Sequence, residues 1–156
     1  MPESVLQYEV AAGERLLDAM AIALADGREA SRGSVYLWGY VVEMILKAAY
    51  FRVLGWNPTV PVKLSAVAKT MGLKTVSARD GHDLSLLSRA LMRERGLRGL
   101  ETPGEIASDF DRRVARVSAA WSVDDRYDGS PTSSGLIGQM FEDASWFVAH
   151  RLVLAQ

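Results

Sequence analysis

Apolar residues recur along most of the chain at helical spacing, and short polar, glycine-rich or proline-containing segments separate the apolar stretches. Over residues 4–25, apolar positions follow one another at intervals of three and four, which predicts an amphipathic helix. No segment alternates apolar and polar residues well enough to predict a β-strand. We expect the apolar stripe of the first helix to face the core; it consists of Leu6, Val10, Gly13, Leu17, Met20 and Leu24.

The most apolar stretch, SVYLWGYVVEMILKAAYF, begins at Ser34 and predicts a second helix over residues 34–54. Because this stretch is apolar on nearly every side, we expect other helices to surround it. It is long enough to span a bilayer, but Glu43 and Lys47 lie near its centre. Each charge at a bilayer centre costs about 2.5–3.5 kcal/mol, so a buried central helix is favoured over a membrane span.

The rest of the chain also reads as helices joined by loops. A capping-box pattern at Thr102 and Glu105 predicts one helix start. The sequence has no repeat and no interdomain linker, so residues 1–156 are predicted to form one domain. We therefore predict an all-α, up-and-down bundle of four long helices with a shorter fifth. The further helices are predicted over residues 102–121 and 136–154, the shorter one over 82–96, and a short helical segment over 64–72.

Composition and charge narrow the classes of function. The 156 residues are 49% hydrophobic and 24% charged, which is typical of a soluble globular domain. The formal net charge of −1 lacks the basic excess of most proteins that grip nucleic-acid backbones. The segment VAKTMGLKTVSA is similar to a helix-turn-helix, but it leaves too little room for a recognition helix. We therefore do not expect DNA binding.

The chain has no cysteine and only two histidines, His82 and His150. This composition excludes disulfides, thiolate chemistry, cysteine-based zinc sites and histidine-rich metal sites. We predict no metal and no cofactor. The N-terminal MPESVLQYEV lacks the basic region followed by an apolar run that defines a signal peptide. A cytoplasmic protein is the expectation.

Two groups of polar residues carry the candidate chemistry. Glu43 and Lys47 are four residues apart and share one face of the second helix; they either neutralise each other in the core or form a pair at the rim of the bundle, with Lys47 reaching water. The rim is the favoured interpretation. His82 precedes a helix that Asp83 can cap, and it is a loop ligand, a general base or, as we favour, a hydrogen-bonding brace.

A loop before the last helix, WSVDDRYDG, contains Arg126 and Tyr127 beside three acids. Arginine and tyrosine in such a loop can grip a phosphate or a carboxylate. They can equally lock the loop onto the bundle through salt bridges and ring packing. We favour the lock.

Taken together, the segments GYVVEMILKAAYFRVLGW, GHDLSLLSRAL and WSVDDRYDG resemble the HEPN domain family. That family typically has E-x-x-x-K on its long second helix, H-D-L opening a later helix, and R-Y before the last helix. The resemblance covers residues 4–155. It implies a helical bundle that often forms a homodimer with a cleft at the interface. It also implies a polar cluster of Glu43, Lys47, His82 and Arg126.

The resemblance further implies a link to RNA or nucleotides, because many HEPN proteins are ribonucleases of toxin–antitoxin or defence systems. Others are partners of a minimal nucleotidyltransferase. The ribonucleases carry an R-x4-6-H motif, which is missing here: only two residues separate Arg79 from His82, and the window before His150 holds no arginine. We therefore expect a non-catalytic module that dimerises and binds a protein partner or a nucleotide-like ligand.

The alternative is a metal-independent ribonuclease with a degenerate site. In that hypothesis His82 is the general acid and base, Arg126 stabilises the phosphorane, and Tyr127 positions the scissile phosphate.

Overall fold

The computed structural model describes residues 4–25, 32–75, 77, 80–123 and 132–156. The all-α class is confirmed, but these residues form six α-helices rather than five. The difference arises because the short segment at residues 65–71 is a helix of its own, ended by Gly72 in the left-handed conformation (φ 68°). The helices are α1 Val5–Ala25, α2 Arg32–Val53, α3 Ser65–Met71, α4 Leu84–Leu97, α5 Gly104–Ala120 and α6 Ser134–Leu154, with a 3-10 turn at Asp80–His82.

As predicted, α2 is the central helix of the bundle. It packs against α1, α4 and α6 and also contacts α5. Its largest buried side chains, Trp38, Tyr50 and Phe51, are almost completely removed from water. Burial of apolar surface on every side of one helix is what holds the other helices to it. Within the described ranges, no helix combines the length and the apolarity needed to cross a bilayer.

The face that α1 buries is not the predicted one. Against α2 it buries Val5, Tyr8, Ala12 and Ala19. The predicted stripe points outward instead, with Leu17 67% exposed. Because α1 is apolar on two sides, its small alanines let it approach α2 closely while the larger residues remain at the surface. The prediction of a core-facing stripe is therefore wrong.

The predicted capping box at the start of α5 is also absent. The N-cap position is Pro103, and no side chain caps the helix. Thr102 Oγ1 instead accepts a hydrogen bond from Arg95 Nε at 3.0 Å. The same guanidinium donates to the backbone oxygens of Val153 and Leu154, each at 2.9 Å. Burial lowers the pKa of Arg95, which serves as a brace between the end of α4 and the end of α6.

Candidate functional site

Glu43 is the centre of the candidate site. It lies in the middle of α2 and has a relative exposure of 0%. Because α1, α4 and α6 cover α2, this carboxylate has no contact with solvent. An unpaired charge in such a position is strongly unfavourable, so the partners of Glu43 determine what the site can do.

The first partner is Lys47, one helical turn further along α2. Its Nζ donates to Glu43 Oε1 at 2.5 Å. The Lys47 side chain is only 7% exposed, so the interpretation of a rim pair with Lys47 in water is wrong. Lys47 stays inside because Glu43 faces the interior and the ammonium follows it at i+4. Nζ also lies 5.6 Å from the centre of the Tyr8 ring on α1, a cation–π contact.

The second partner is His82, from the 3-10 turn before α4. Its Nδ1 lies 2.9 Å from Glu43 Oε2. A carboxylate oxygen only accepts, so Nδ1 carries the proton in this bond. The remaining ring nitrogen, Nε2, is the one that can gain or lose a proton. The His82 side chain is 25% exposed, so the imidazole joins the buried pair to the surface.

Asp83 fixes the backbone on which His82 sits. Its Oδ1 accepts a hydrogen bond from the backbone N–H of Leu86 at 2.9 Å, which caps the first turn of α4. The predicted capping role of Asp83 is confirmed. Because the cap holds the 3-10 turn against α4, Asp83 positions the imidazole without touching Glu43.

A polar pocket of about 300 Å³ lies beside the imidazole. Asp83 and Ser118 line it together with His82, and the indole of Trp121 forms part of its wall. Ser118 Oγ accepts a hydrogen bond from Ser85 Oγ at 3.3 Å. The pocket therefore offers hydroxyl groups, one carboxylate and one edge of an oriented imidazole, a combination suited to a small polar ligand.

The wall of this pocket depends on the missing side chain of Gly39. A Cβ atom built on Gly39 would lie 2.1 Å from Cδ1 of Trp121, so the indole rests directly on the backbone of α2. Trp121 Nε1 donates to the carbonyl of Tyr36 at 3.0 Å, which fixes the plane of the ring. Only a glycine permits this close approach of helix and indole.

The structure thus brings together Glu43, Lys47 and His82, with Asp83 beside them. The other two predicted site residues, Arg126 and Tyr127, lie outside the described residues. Among the described side chains, no group of three or more histidines, aspartates or glutamates is arranged to hold a metal ion.

A second buried carboxylate, Asp143 on α6, was missed by the sequence analysis. It has a relative exposure of 0% and accepts hydrogen bonds from Arg113 Nη1 at 2.6 Å and Arg116 Nε at 3.1 Å. Arg113 also lies over the ring of Trp146, 5.3 Å from its centre. The signal in the sequence was the spacing, since Asp143 shares a helical face with apolar residues three before and four after it. This cluster joins α5 to α6.

The chain matches no protein-family model, and no curated protein or solved structure gives a significant match.

Proposed function

We propose that the chain is a non-catalytic HEPN-type module that dimerises and binds either a protein partner, such as a minimal nucleotidyltransferase, or a nucleotide-like ligand. The resemblance to that family supports the proposal through residues far apart in the sequence. Glu43 and His82 belong to separate family motifs, and they are direct hydrogen-bond partners in the folded chain.

The occupancy of the Glu43 carboxylate carries the non-catalytic part of the proposal. One oxygen accepts from Lys47 and the other contacts His82, and the carboxylate itself is buried. Both charged groups of the pair are therefore engaged within one chain and shielded from any substrate. A carboxylate with both oxygens occupied has little capacity to act as a base. Its contribution is to hold α2, α1 and the 3-10 turn together.

The pocket next to His82 supports the ligand-binding part. A nucleotide-like ligand offers phosphate and hydroxyl groups, and Nε2 of His82 and the hydroxyl of Ser118 are suitable hydrogen-bonding partners for both. Binding of this kind needs an oriented side chain, which the bond from His82 to Glu43 provides. No bond has to be broken in the ligand.

Two measurements test the proposal. Light scattering on the purified protein should give the mass of a dimer, and a monomer at all concentrations would refute the proposal. Thermal unfolding with AMP, ADP or ATP should show a raised Tm for the wild type that is lost in His82→Ala. If no nucleotide raises the Tm while the protein is a dimer, the protein-partner form of the proposal is the one that stands.

The second candidate function is the ribonuclease with a degenerate site that uses His82, Arg126 and Tyr127. The partial exposure of His82 favours it, because a buried acid beside an imidazole that reaches a polar pocket is a common arrangement for a general base. A labelled single-stranded RNA incubated with protein from acidic to alkaline pH distinguishes the two. Cleavage that His82→Ala abolishes would establish the ribonuclease; intact RNA supports the non-catalytic module.

A further inference from the structure

An apolar stripe runs along the outer face of α1. Its large side chains are between 37% and 81% exposed, although the helix already buries its opposite side against α2. Scattered exposed leucines are ordinary, but a continuous row along a whole helix marks an interaction surface. The stripe consists of Leu6, Val10, Leu17, Met20 and Leu24, with Gly13 in the gap between the second and the third.

The spacing of the stripe is that of a helix-to-helix seam. Including Gly13, its positions alternate steps of four and three residues over the length of α1. Alternation of this kind is the heptad pattern in which two helices interlock their side chains. The fold of one chain makes no use of it, since α1 contacts α2 through its other face.

Gly13 gives the stripe a hole as well as knobs. A Cβ added at Gly13 would meet no atom within 4 Å. Gly13 also lines a groove of about 370 Å³ whose floor includes Ala12, Ala48 and Ala49. Small residues on both helices leave room for a large side chain to enter from outside. The stripe itself offers such a side chain in Leu17.

We propose that α1 docks against α1 of a second copy of this chain in antiparallel orientation. This inference rests on the dimer of the proposed function and names the surface that forms it. In the antiparallel register, Leu17 enters the hole at Gly13 of the second copy, and Leu6 meets Leu24. A parallel register would set Gly13 against Gly13 and leave a void, which is unfavourable in a packed seam.

The charges beside the stripe suit a copy of the same surface. Glu9 is paired with Arg52, and Arg15 is paired with Asp18 at 2.5 Å. Because these charges are already neutralised within each chain, two identical faces approach without like-charge repulsion. Among the described residues, Glu14 has no salt-bridge partner.

The size of the face is adequate for a dimer. With 21 residues, α1 is about 31 Å long. The groove and the exposed Leu152 on its α6 side widen the face to two helices, or about 20 Å. The plan area is then about 600 Å², and the ridged surface of packed helices raises the accessible area toward the roughly 800 Å² per partner of a stable interface.

Cysteine cross-linking tests the register, and the natural absence of cysteine makes the test clean. In one chain, positions 6 and 24 are about 27 Å apart along the helix, too far for a disulfide. Under mild oxidation, the double variant Leu6→Cys/Leu24→Cys should give a covalent dimer, and neither single variant should. A covalent dimer from Leu6→Cys alone would overturn the antiparallel register.

A charge placed in the seam tests the surface itself. Leu17→Glu should shift the light-scattering mass from dimer to monomer with unchanged helical circular dichroism. Leu97→Glu on α4 is the matched control, because Leu97 is similarly exposed (71%) and lies outside the stripe. If wild type and Leu17→Glu are both dimers and the double cysteine variant does not cross-link, the seam is refuted while the dimer of the proposed function stands. A monomeric wild type refutes both.

Discussion

Glu43 and His82 are separated by 39 residues in the sequence, yet Nδ1 of His82 lies 2.9 Å from Oε2 of Glu43. The contact joins the middle of α2 to the turn that precedes α4. The other oxygen of the same carboxylate holds the Lys47 ammonium. One buried side chain therefore organises both the interior of the bundle and the wall of a surface pocket, so the two effects can be separated by mutation.

Replacing Glu43 with Gln should destabilise the protein because it leaves the Lys47 ammonium buried without a counter-charge. Removal of one member of a buried ion pair costs about 3–5 kcal/mol, which corresponds to a drop in Tm of roughly 10 °C for a chain of this length. Thermal unfolding followed by circular dichroism, without any ligand, measures it.

The double variant Glu43→Gln/Lys47→Met is the control, because it also removes the stranded charge. It should recover much of the lost Tm. An unchanged Tm in Glu43→Gln would contradict a structural role for the carboxylate.

Adding one methyl group at Gly39 should disturb the packing between α2 and the indole of Trp121. The new Cβ would lie 2.1 Å from Cδ1 of Trp121, so the ring must move. Overpacking of this kind costs about 1–3 kcal/mol, which urea unfolding can resolve. Gly138→Ala on α6 is the matched control, since a Cβ there meets nothing within 4 Å; it should be stabilising by about 1 kcal/mol. Equal effects of the two variants would disprove the packing argument.

The stability of the protein should fall at alkaline pH through Tyr50. Burial raises the pKa of this phenol, whose oxygen lies 2.7 Å from Thr70 Oγ1. The folded state therefore holds the proton more tightly than the unfolded chain, whose tyrosine pKa is about 10. The contribution is complete below pH of about 10 and is lost as the pH rises through the folded pKa. Urea unfolding of wild type and Tyr50→Phe should show the steeper alkaline loss in the wild type; parallel slopes would argue against it.

The positions of the helices were predictable because long apolar patterns dominate this chain, but the orientation of α1 was not. Periodicity finds a stripe of large residues, and α1 has a second apolar face made of smaller ones. Which face turns inward depends on how closely α1 can approach α2. That closeness is a property of the pair of helices and is not visible in either sequence pattern alone.

The candidate site was predictable only in part. Glu43 stood out because it interrupts an apolar helix, but its contact with His82 depends on the path of the chain across 39 residues. No local pattern fixes such a path. The burial of Lys47 was equally hidden, because a lysine at i+4 from an acid is usually solvent-exposed. Asp143 escaped notice since a single acid within an amphipathic helix is common on exposed faces.

Replacing Asp143 with Asn should loosen the contact between α5 and α6. The carboxylate is buried and accepts from both Arg113 and Arg116, so the variant leaves two guanidiniums without their counter-charge. Loss of hydrogen bonds to a buried charged group costs about 2–3 kcal/mol, which urea unfolding resolves. Asp109→Asn is the control, because Asp109 pairs with the exposed Arg112 and such surface pairs contribute less than about 1 kcal/mol. If both variants cost the same, Asp143 does not join the two helices, and the packing of their apolar faces alone holds them together.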